Sequence, residues 1–154
     1  MTFESLTSFM VRQDPIRSDE QSTVNQPANL DLSSTFVVVE PDHSAIPVAV
    51  TPTIYEELDR RFDNFKGRLL VSSHSFVSDW SSWEVHPAGD EIVCLLSGAA
   101  TMVLDRNGVE DAVHLRDPGT FVIVPRGIWH TARTSVPTKM LFVTPGEGTQ
   151  NKPV

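Results

Sequence analysis

The most constraining feature of this sequence is a run of short β-type segments, separated by tight-turn residues, from residue 68 onward. Asn107-Gly108 favours a type I′ hairpin, because both central residues of that turn need positive φ. Asp117-Pro118-Gly119 and Pro125-Arg126-Gly127 are further turn signals. The predicted strands are Arg68–Ser78, Trp83–His86, Glu91–Leu96, Ala100–Asp105, Val109–Arg116, Thr120–Val124, His130–Thr134 and Lys139–Thr144. Such regular short strands predict an all-β sandwich or barrel.

The residues before this region divide into an arm, a strand and a helix. Residues 1–34 are polar and contain two prolines, which indicates a flexible arm or one that docks on a partner. Residues 35–40 are mostly β-branched and predict a strand that ends at Pro41. We therefore expect a domain over residues 35–145, followed by a frayed tail over residues 146–154.

The helix is predicted over residues 52–65. Either Thr51, with Pro52 at the first helical position, or Thr53, with Glu56 reaching back, is suited to cap its N-terminus. One apolar stripe follows the helical period and predicts a single buried face. Its members are Ile54, Leu58, Phe62 and Phe65.

Length, charge and cysteine content exclude several classes of protein. The chain has 154 residues, one domain's worth, with a formal net charge of -8. This acidity argues against nucleic-acid or anionic-membrane partners, and no apolar run is long enough to span a bilayer. The single cysteine, Cys94, rules out an intrachain disulfide, and the first ten residues lack a secretory signal pattern. We expect a reducing, cytoplasmic location.

Two stretches carry residues suited to chemistry. Glu84 and His86 are two apart on a predicted strand and therefore share a face. A turn over residues 87–90 brings the chain back, so that Glu91 can converge with them. The second stretch delivers another imidazole, His130, shortly after a Pro-x-Gly turn.

These stretches resemble the two signature motifs of the cupin superfamily. His86, Glu91 and Gly98 follow the spacing of the first motif, in which four and then six residues separate them. Four residues follow the spacing of the second motif, namely Gly119, Pro125, Gly127 and His130. The resemblance covers about half of the chain and implies a small single-domain cupin of the bacterial type. It also implies a jelly-roll barrel (a double-stranded β-helix) with a pocket at its mouth, and commonly a homodimer.

The sequence departs from the first motif at Ser78, where the motif has glycine, and at Glu84, where it has histidine. It departs from the second motif at Thr134, where the motif has asparagine. The resemblance implies four metal ligands, which are Glu84, His86, Glu91 and His130. Carboxylate and imidazole ligands together suit zinc, iron, manganese or nickel. The resemblance implies no separate organic cofactor site.

Several alternatives remain open from sequence. Glu84 and His86 could pair without any metal, and Asp90 competes with Glu91 as the ligand, although the spacing to Gly98 favours Glu91. We interpret His74 and His114 as structural or surface histidines rather than pocket residues, and Cys94 as a small apolar residue facing away from the site. Strand alternation places Trp83 and Trp129 on the face opposite the ligands.

The same alternation puts Ile92, Cys94 and Leu96 on the outer face of their strand, so that this strand is apolar on its outer face as well. Residues 121–124 are apolar on both faces in the same way. Such strands need cover, and a two-fold homodimer is our preferred source. The predicted function is metal-dependent chemistry on a small oxygen-bearing molecule, of dioxygenase, isomerase, decarboxylase or lyase type, with Glu84 moving protons. The competing hypothesis is a non-catalytic module that binds a small molecule, with or without metal.

Overall fold

The structure is a computed structural model and describes residues 29–154. It contains one α-helix, α1, and eleven strands in that range, with a short 3₁₀ turn at Asp63–Phe65 after the helix. The helix is Ile54–Arg61, and the strands are β1 Thr35–Val39, β2 Ala45–Ala49, β3 Leu69–Phe76, β4 Ser82–Val85, β5 Glu91–Ser97, β6 Ala100–Arg106, β7 Val109–Leu115, β8 Phe121–Val124, β9 Trp129–Arg133, β10 Thr138–Pro145 and β11 Gln150–Pro153. The predicted arm lies mostly outside the described residues.

The strands form two antiparallel sheets. One sheet has the order β2-β1-β3-β10-β5-β8, and the other has the order β11-β4-β9-β6-β7. The all-β jelly-roll architecture is therefore confirmed. Every one of the eight predicted strands is present, with ends within two residues of the prediction. The β6–β7 hairpin turns at Asn107 and Gly108, whose φ values of 59° and 87° match the predicted turn.

Two strands were not predicted, and the predicted tail is wrong. Strand β2 contains Pro47, which is tolerated because β2 lies at a sheet edge. Strand β11 is formed by four exposed residues, yet its backbone pairs with β4 from Gln150↔Val85 to Pro153↔Ser82. The last residues of the chain are therefore part of the second sheet rather than frayed. Hydrophobic alternation could not reveal β11, because it buries no apolar side chain.

The helix is shorter than predicted, and its first turn differs. Asp63, Asn64 and Phe65 all have positive φ, so the chain leaves the α-helix before the predicted end. Thr53 occupies the N-cap position without a side-chain capping bond. Instead, the hydroxyls of Thr51 and Thr53 both donate to Glu57 Oε1, at 2.7 and 2.8 Å, and Glu56 has no part in this arrangement.

The core has two parts, and both pack against the same face of the six-stranded sheet. Between the sheets, Val93, Leu95, Met102 and Met140 are fully buried. The helix stripe Ile54, Leu58, Phe62 and Phe65 is buried as predicted, and it packs with Phe36, Val38 and Leu70 of β1 and β3. The helix thus covers one end of the six-stranded sheet. Within residues 29–154, no helix is long and apolar enough to cross a membrane.

Candidate metal centre

The four predicted ligands come from both sheets and meet between them. Glu84 on β4 lies directly opposite His130 on β9 in the five-stranded sheet, and His86 follows β4. Glu91 is the first residue of β5 in the other sheet. The turn at residues 87–90 therefore carries the chain from one sheet to the other, as the sequence pattern suggested.

The ligand atoms of Glu84, His86 and His130 lie within 4.8 Å of one another. Glu91 contacts both imidazoles, with Oε1 at 3.3 Å from His86 Nε2 and Oε2 at 3.0 Å from His130 Nε2. His130, Glu91 and His86 expose 0%, 2% and 3% of their surface, whereas Glu84 is half-buried. The structure brings all four side chains together, with Glu84 the most accessible.

Hydrogen bonds on the outer side of each imidazole define its tautomer. His130 Nδ1 lies 3.2 Å from the carbonyl oxygen of Ile128, which can only accept, so Nδ1 carries a hydrogen. His86 Nδ1 lies 2.9 Å from Thr149 Oγ1, and the Thr149 hydroxyl already donates to the carbonyl of Gly146 at 3.0 Å. Thr149 must therefore accept from His86. In both neutral imidazoles Nε2 is left with a lone pair directed into the site, the arrangement typical of metal-bound histidine.

Glu91 is oriented in the same way. The Thr144 hydroxyl donates to Glu91 Oε1 at 2.6 Å, which holds one carboxylate oxygen. The other oxygen, Oε2, and Nε2 of both histidines are buried and have no hydrogen-bond partner within the described part of the chain. Their short separations therefore do not have the geometry of hydrogen bonds. Buried polar atoms without partners are costly, and three of them at one point fit a bound cation.

The charges of the site shift its acid–base properties. Burial raises the pKa of Glu84, and the nearby Glu91 carboxylate raises it further. Burial also opposes ionisation of Glu91, but contacts with His130 and His86 outweigh it and lower its pKa to about 2. Burial disfavours the charged form of His130, yet the Glu91 carboxylate overcomes this effect and raises the pKa of His130. A proton therefore competes with a cation for His130 more strongly than for an ordinary histidine.

The site opens into a cavity of about 870 Å³, large enough for a small organic molecule. Tyr55 of α1, His74 and Phe76 of β3, and Phe142 of β10 line it together with Glu84, His86 and Glu91. Thr149 and Trp80 also line it. The cavity thus lies between the helix, the inner face of the six-stranded sheet and β4.

The remaining candidates have the following positions. Asp90 is exposed and accepts from the backbone N–H of Arg126 at 2.8 Å, so it does not point into the site. Exposed His114 of β7 contacts Thr101 of the neighbouring strand β6 and does not line the cavity. Lys152 Nζ lies over the rings of Trp83 and Trp129, on the outer face as predicted, at 5.7 and 4.4 Å.

Cys94 faces away from the site, as predicted, because Glu91, Val93 and Leu95 alternate with it on the buried face. The interpretation of His74 as a residue outside the pocket is wrong, because His74 lines the cavity. Sequence reasoning also missed Thr149 and Trp80. Thr149 lies in a segment without apolar pattern, and Trp80 lies in a loop, where alternation assigns no face.

No protein-family model matches this sequence, and the search of curated proteins finds no match. Among solved structures, a cupin-2 domain protein from Shewanella frigidimarina aligns with 17% identity and a TM-score of 0.43, covering 50% of this chain and 70% of that one. A cupin superfamily protein from Desulfitobacterium hafniense aligns with 26% identity and a TM-score of 0.43, covering 51% and 68%. Both of these solved structures are described as cupin proteins.

A third solved structure that aligns with this chain is hydroquinone 1,2-dioxygenase from Sphingomonas sp. TTNP3, solved with 4-hydroxybenzoate bound. It aligns with 18% identity and a TM-score of 0.42, and the match covers 49% of this chain and 58% of the dioxygenase. Each of the three alignments covers about half of this chain.

Proposed function

We propose that this protein binds one divalent transition metal through Glu84, His86, Glu91 and His130 and acts on a small oxygen-bearing molecule in the adjoining cavity. The observation that supports it most is a set of three buried atoms that have no hydrogen-bond partner among residues 29–154, namely Nε2 of both histidines and Oε2 of Glu91. Each belongs to a side chain whose other polar atom is held by a hydrogen bond. Such outer bonds orient ligands for a metal.

The donor set suits iron(II), manganese, zinc or nickel, since two imidazoles with one carboxylate are typical of non-haem iron and the second carboxylate favours a hard dication. When bound, the metal supplies Lewis-acid chemistry, and with iron or manganese also redox chemistry. We assign Glu84 the proton-transfer role. It borders the cavity, is the most accessible of the four, and has a raised pKa, which suits a group that takes up and releases a proton.

Metal analysis of variants tests this proposal. The protein is purified without a nickel column or chelator, and metal content is measured by mass spectrometry for wild type, Glu84→Ala, His130→Ala and a control, His114→Ala. We expect one metal per chain in wild type and in the control, which removes an exposed histidine on β7. The two site variants should lose most of the metal and keep the β-sheet circular dichroism. Equal metal content in all four proteins would refute the proposal.

A metal-free binding module is the second candidate, and one observation favours it. The Glu91 carboxylate lies between the two imidazoles, at 3.3 and 3.0 Å, and can offset the charge of a protonated histidine without any cation. This reading predicts saturable binding of a small molecule with no turnover and no bound metal. The metal analysis above separates the two candidates.

We also propose that the protein is a homodimer through the outer face of the six-stranded sheet. Strand register places Ile92 of β5 beside Ile123 of β8, and Cys94 beside Phe121. Phe121 and Ile123 are more than half exposed, on a strand at the sheet edge. An apolar, solvent-facing strand of this kind is a typical association surface.

Light scattering after size-exclusion chromatography tests the dimer. Phe121→Asp should shift the mass from dimer to monomer, whereas Val109→Asp, which changes an equally exposed apolar residue at the β6–β7 hairpin, should not. A monomeric wild type would exclude the dimer. The net charge of -8 disfavours nucleic-acid and anionic-membrane partners, and the single cysteine suits a cytoplasmic location.

A further inference from the structure

The lining of the cavity is rich in carboxylates and lacks a permanent positive charge. Within the described residues it contains no lysine or arginine, and it contains four carboxylates, on Asp59, Asp79, Glu84 and Glu91. His74 also lines the cavity, but burial lowers its pKa, so its imidazole is uncharged at neutral pH. A molecule that enters the cavity therefore meets a negative electrostatic field.

A bound metal would not remove all of this negative charge. In the proposed site, the carboxylates of Glu84 and Glu91 balance the charge of a divalent ion, and the ligating imidazoles are neutral. Asp59 and Asp79 do not belong to the group of side chains that can share one ion in the described part of the chain. The metal-loaded cavity therefore keeps the charge of these two aspartates.

Asp59 and Asp79 also have no basic side chain beside them. Neither forms an ion pair with a lysine or arginine among residues 29–154. Asp79 Oδ1 accepts a hydrogen bond from the backbone N–H of Thr134 at 2.8 Å, which fixes the position of this carboxylate. Both aspartates are exposed as well as lining the cavity, so they lie where the cavity meets solvent.

Aromatic rings accompany the carboxylates in the lining. Tyr55 precedes Asp59 by four residues on α1, so the two side chains share one side of the helix, and Tyr55 is 53% exposed. Phe76 and Phe142 also line the cavity. The face of an aromatic ring carries partial negative charge and attracts a cation. A cation needs only one such face, so the rings require no common plane.

We infer that the ligand of this cavity is a small organic cation whose positive group is attracted by Asp59 and Asp79 and whose oxygen is directed to the metal. The contact with the metal rests on the proposed function, whereas the sign of the charge rests on the two aspartates. The cavity of about 870 Å³ is far larger than a metal ion, and its aromatic lining suits an alkylated ammonium group. An anion would meet the same carboxylates with no basic side chain to offset their repulsion.

Two probes of nearly the same shape test the charge of the ligand. Choline carries a trimethylammonium group and a hydroxyl, and 3,3-dimethylbutan-1-ol replaces the nitrogen by carbon, which removes the charge. Isothermal titration into zinc-loaded wild-type protein at low salt should show choline binding about tenfold more tightly. Added salt should reduce this preference, because exposed carboxylates are screened. Equal affinities, a preference for the alcohol, or no binding of choline would overturn the inference.

Substitution of the two aspartates tests which groups select the charge. Asp59→Asn and Asp79→Asn each remove one charge, and asparagine at position 79 keeps an oxygen for the Thr134 N–H. Choline affinity should fall about threefold in each variant and about tenfold in the double variant, while the affinity for the alcohol stays unchanged. Unchanged choline affinity in the folded double variant would overturn the inference, and Asp59→Asn decides the outcome if Asp79→Asn does not fold.

Asp117→Asn is the matched control, because Asp117 is exposed but does not line the cavity. It should bind choline as the wild-type protein does, and a loss equal to that of the double variant would show that only the net charge of the protein matters, which overturns the assignment to the cavity.

Zinc content, measured for every protein, separates failure of this inference from failure of the proposed function. The aspartate variants should retain zinc, since neither residue is a proposed ligand. If wild-type protein takes up no zinc, the metal proposal fails, and the two probes are compared on the metal-free protein. A preference for choline there supports charge selection by Asp59 and Asp79 alone, and no preference overturns it.

Discussion

Thr149 connects the C-terminal segment to the candidate metal centre, and its replacement by valine isolates that connection. Valine has nearly the same shape as threonine but cannot accept the hydrogen bond from His86 Nδ1, which is 2.9 Å long in the wild-type protein. The imidazole then loses the contact that fixes its orientation and directs the Nε2 lone pair into the site. Because His86 is buried, solvent has little access to replace the lost partner.

The expected magnitude follows from two effects. Loss of an outer hydrogen bond to a metal-binding histidine typically costs 10- to 100-fold in metal affinity, which is about 1.4–2.7 kcal/mol. An unsatisfied buried imidazole nitrogen costs about 1–3 kcal/mol of folding stability as well. The hydroxyl also donates to the Gly146 carbonyl at 3.0 Å, so part of the stability loss comes from the turn before β11.

Thr149→Ser is the matched control, because serine keeps the hydroxyl and both hydrogen bonds. Zinc affinity is measured by competition with a chromophoric chelator, and stability of the metal-free proteins is measured by urea unfolding. We expect serine to remain within about threefold of wild type in affinity and valine to lose 10-fold or more. If valine and serine bind zinc equally well, the hydroxyl does not orient His86 and the reasoning is wrong.

Three further predictions concern stability. Because the pKa of His130 is raised from its ordinary 6.5, its contribution to folding stability is complete below pH 6.5 and is lost as the pH rises above that value. The pKa of Glu91 is lowered from 4.5 to about 2, so its contribution is complete above pH 4.5 and is lost as the pH falls below that value. Urea unfolding of metal-free protein should therefore show this pair contributing most between pH 4.5 and 6.5, and Glu91→Gln should abolish that dependence. Gly98→Ala should lower the melting temperature markedly, because φ is +81° and the new Cβ would clash with the backbone oxygen of Pro137; an unchanged melting temperature would contradict this. Leu58→Ala should cost about 2–5 kcal/mol by urea unfolding, since the side chain is fully buried, and a loss under 1 kcal/mol would show that the helix does not cover the sheet as described.

The sequence predicted the elements whose apolar residues alternate or repeat. Strand β5 is an example, since Glu91, Val93 and Leu95 are buried while Ile92 and Leu96 are exposed. The burial of the helix stripe followed for the same reason. Strand β11 and the early end of the helix could not be predicted, because one depends on backbone pairing and the other on positive φ at non-glycine residues.

The convergence of Glu84, His86, Glu91 and His130 was suggested by motif spacing, because strand alternation fixes which side chains share a face. The tertiary structure decided what surrounds them. Thr149, Thr144 and Trp80 reach the site from distant parts of the chain, and their roles depend on three-dimensional separations that no local pattern encodes. Local sequence thus determined which side chains face inward, since a strand repeats every two residues. Which of these side chains meet was decided only by the packing of the two sheets and the helix, because strand register and the connections between the sheets join residues far apart in sequence.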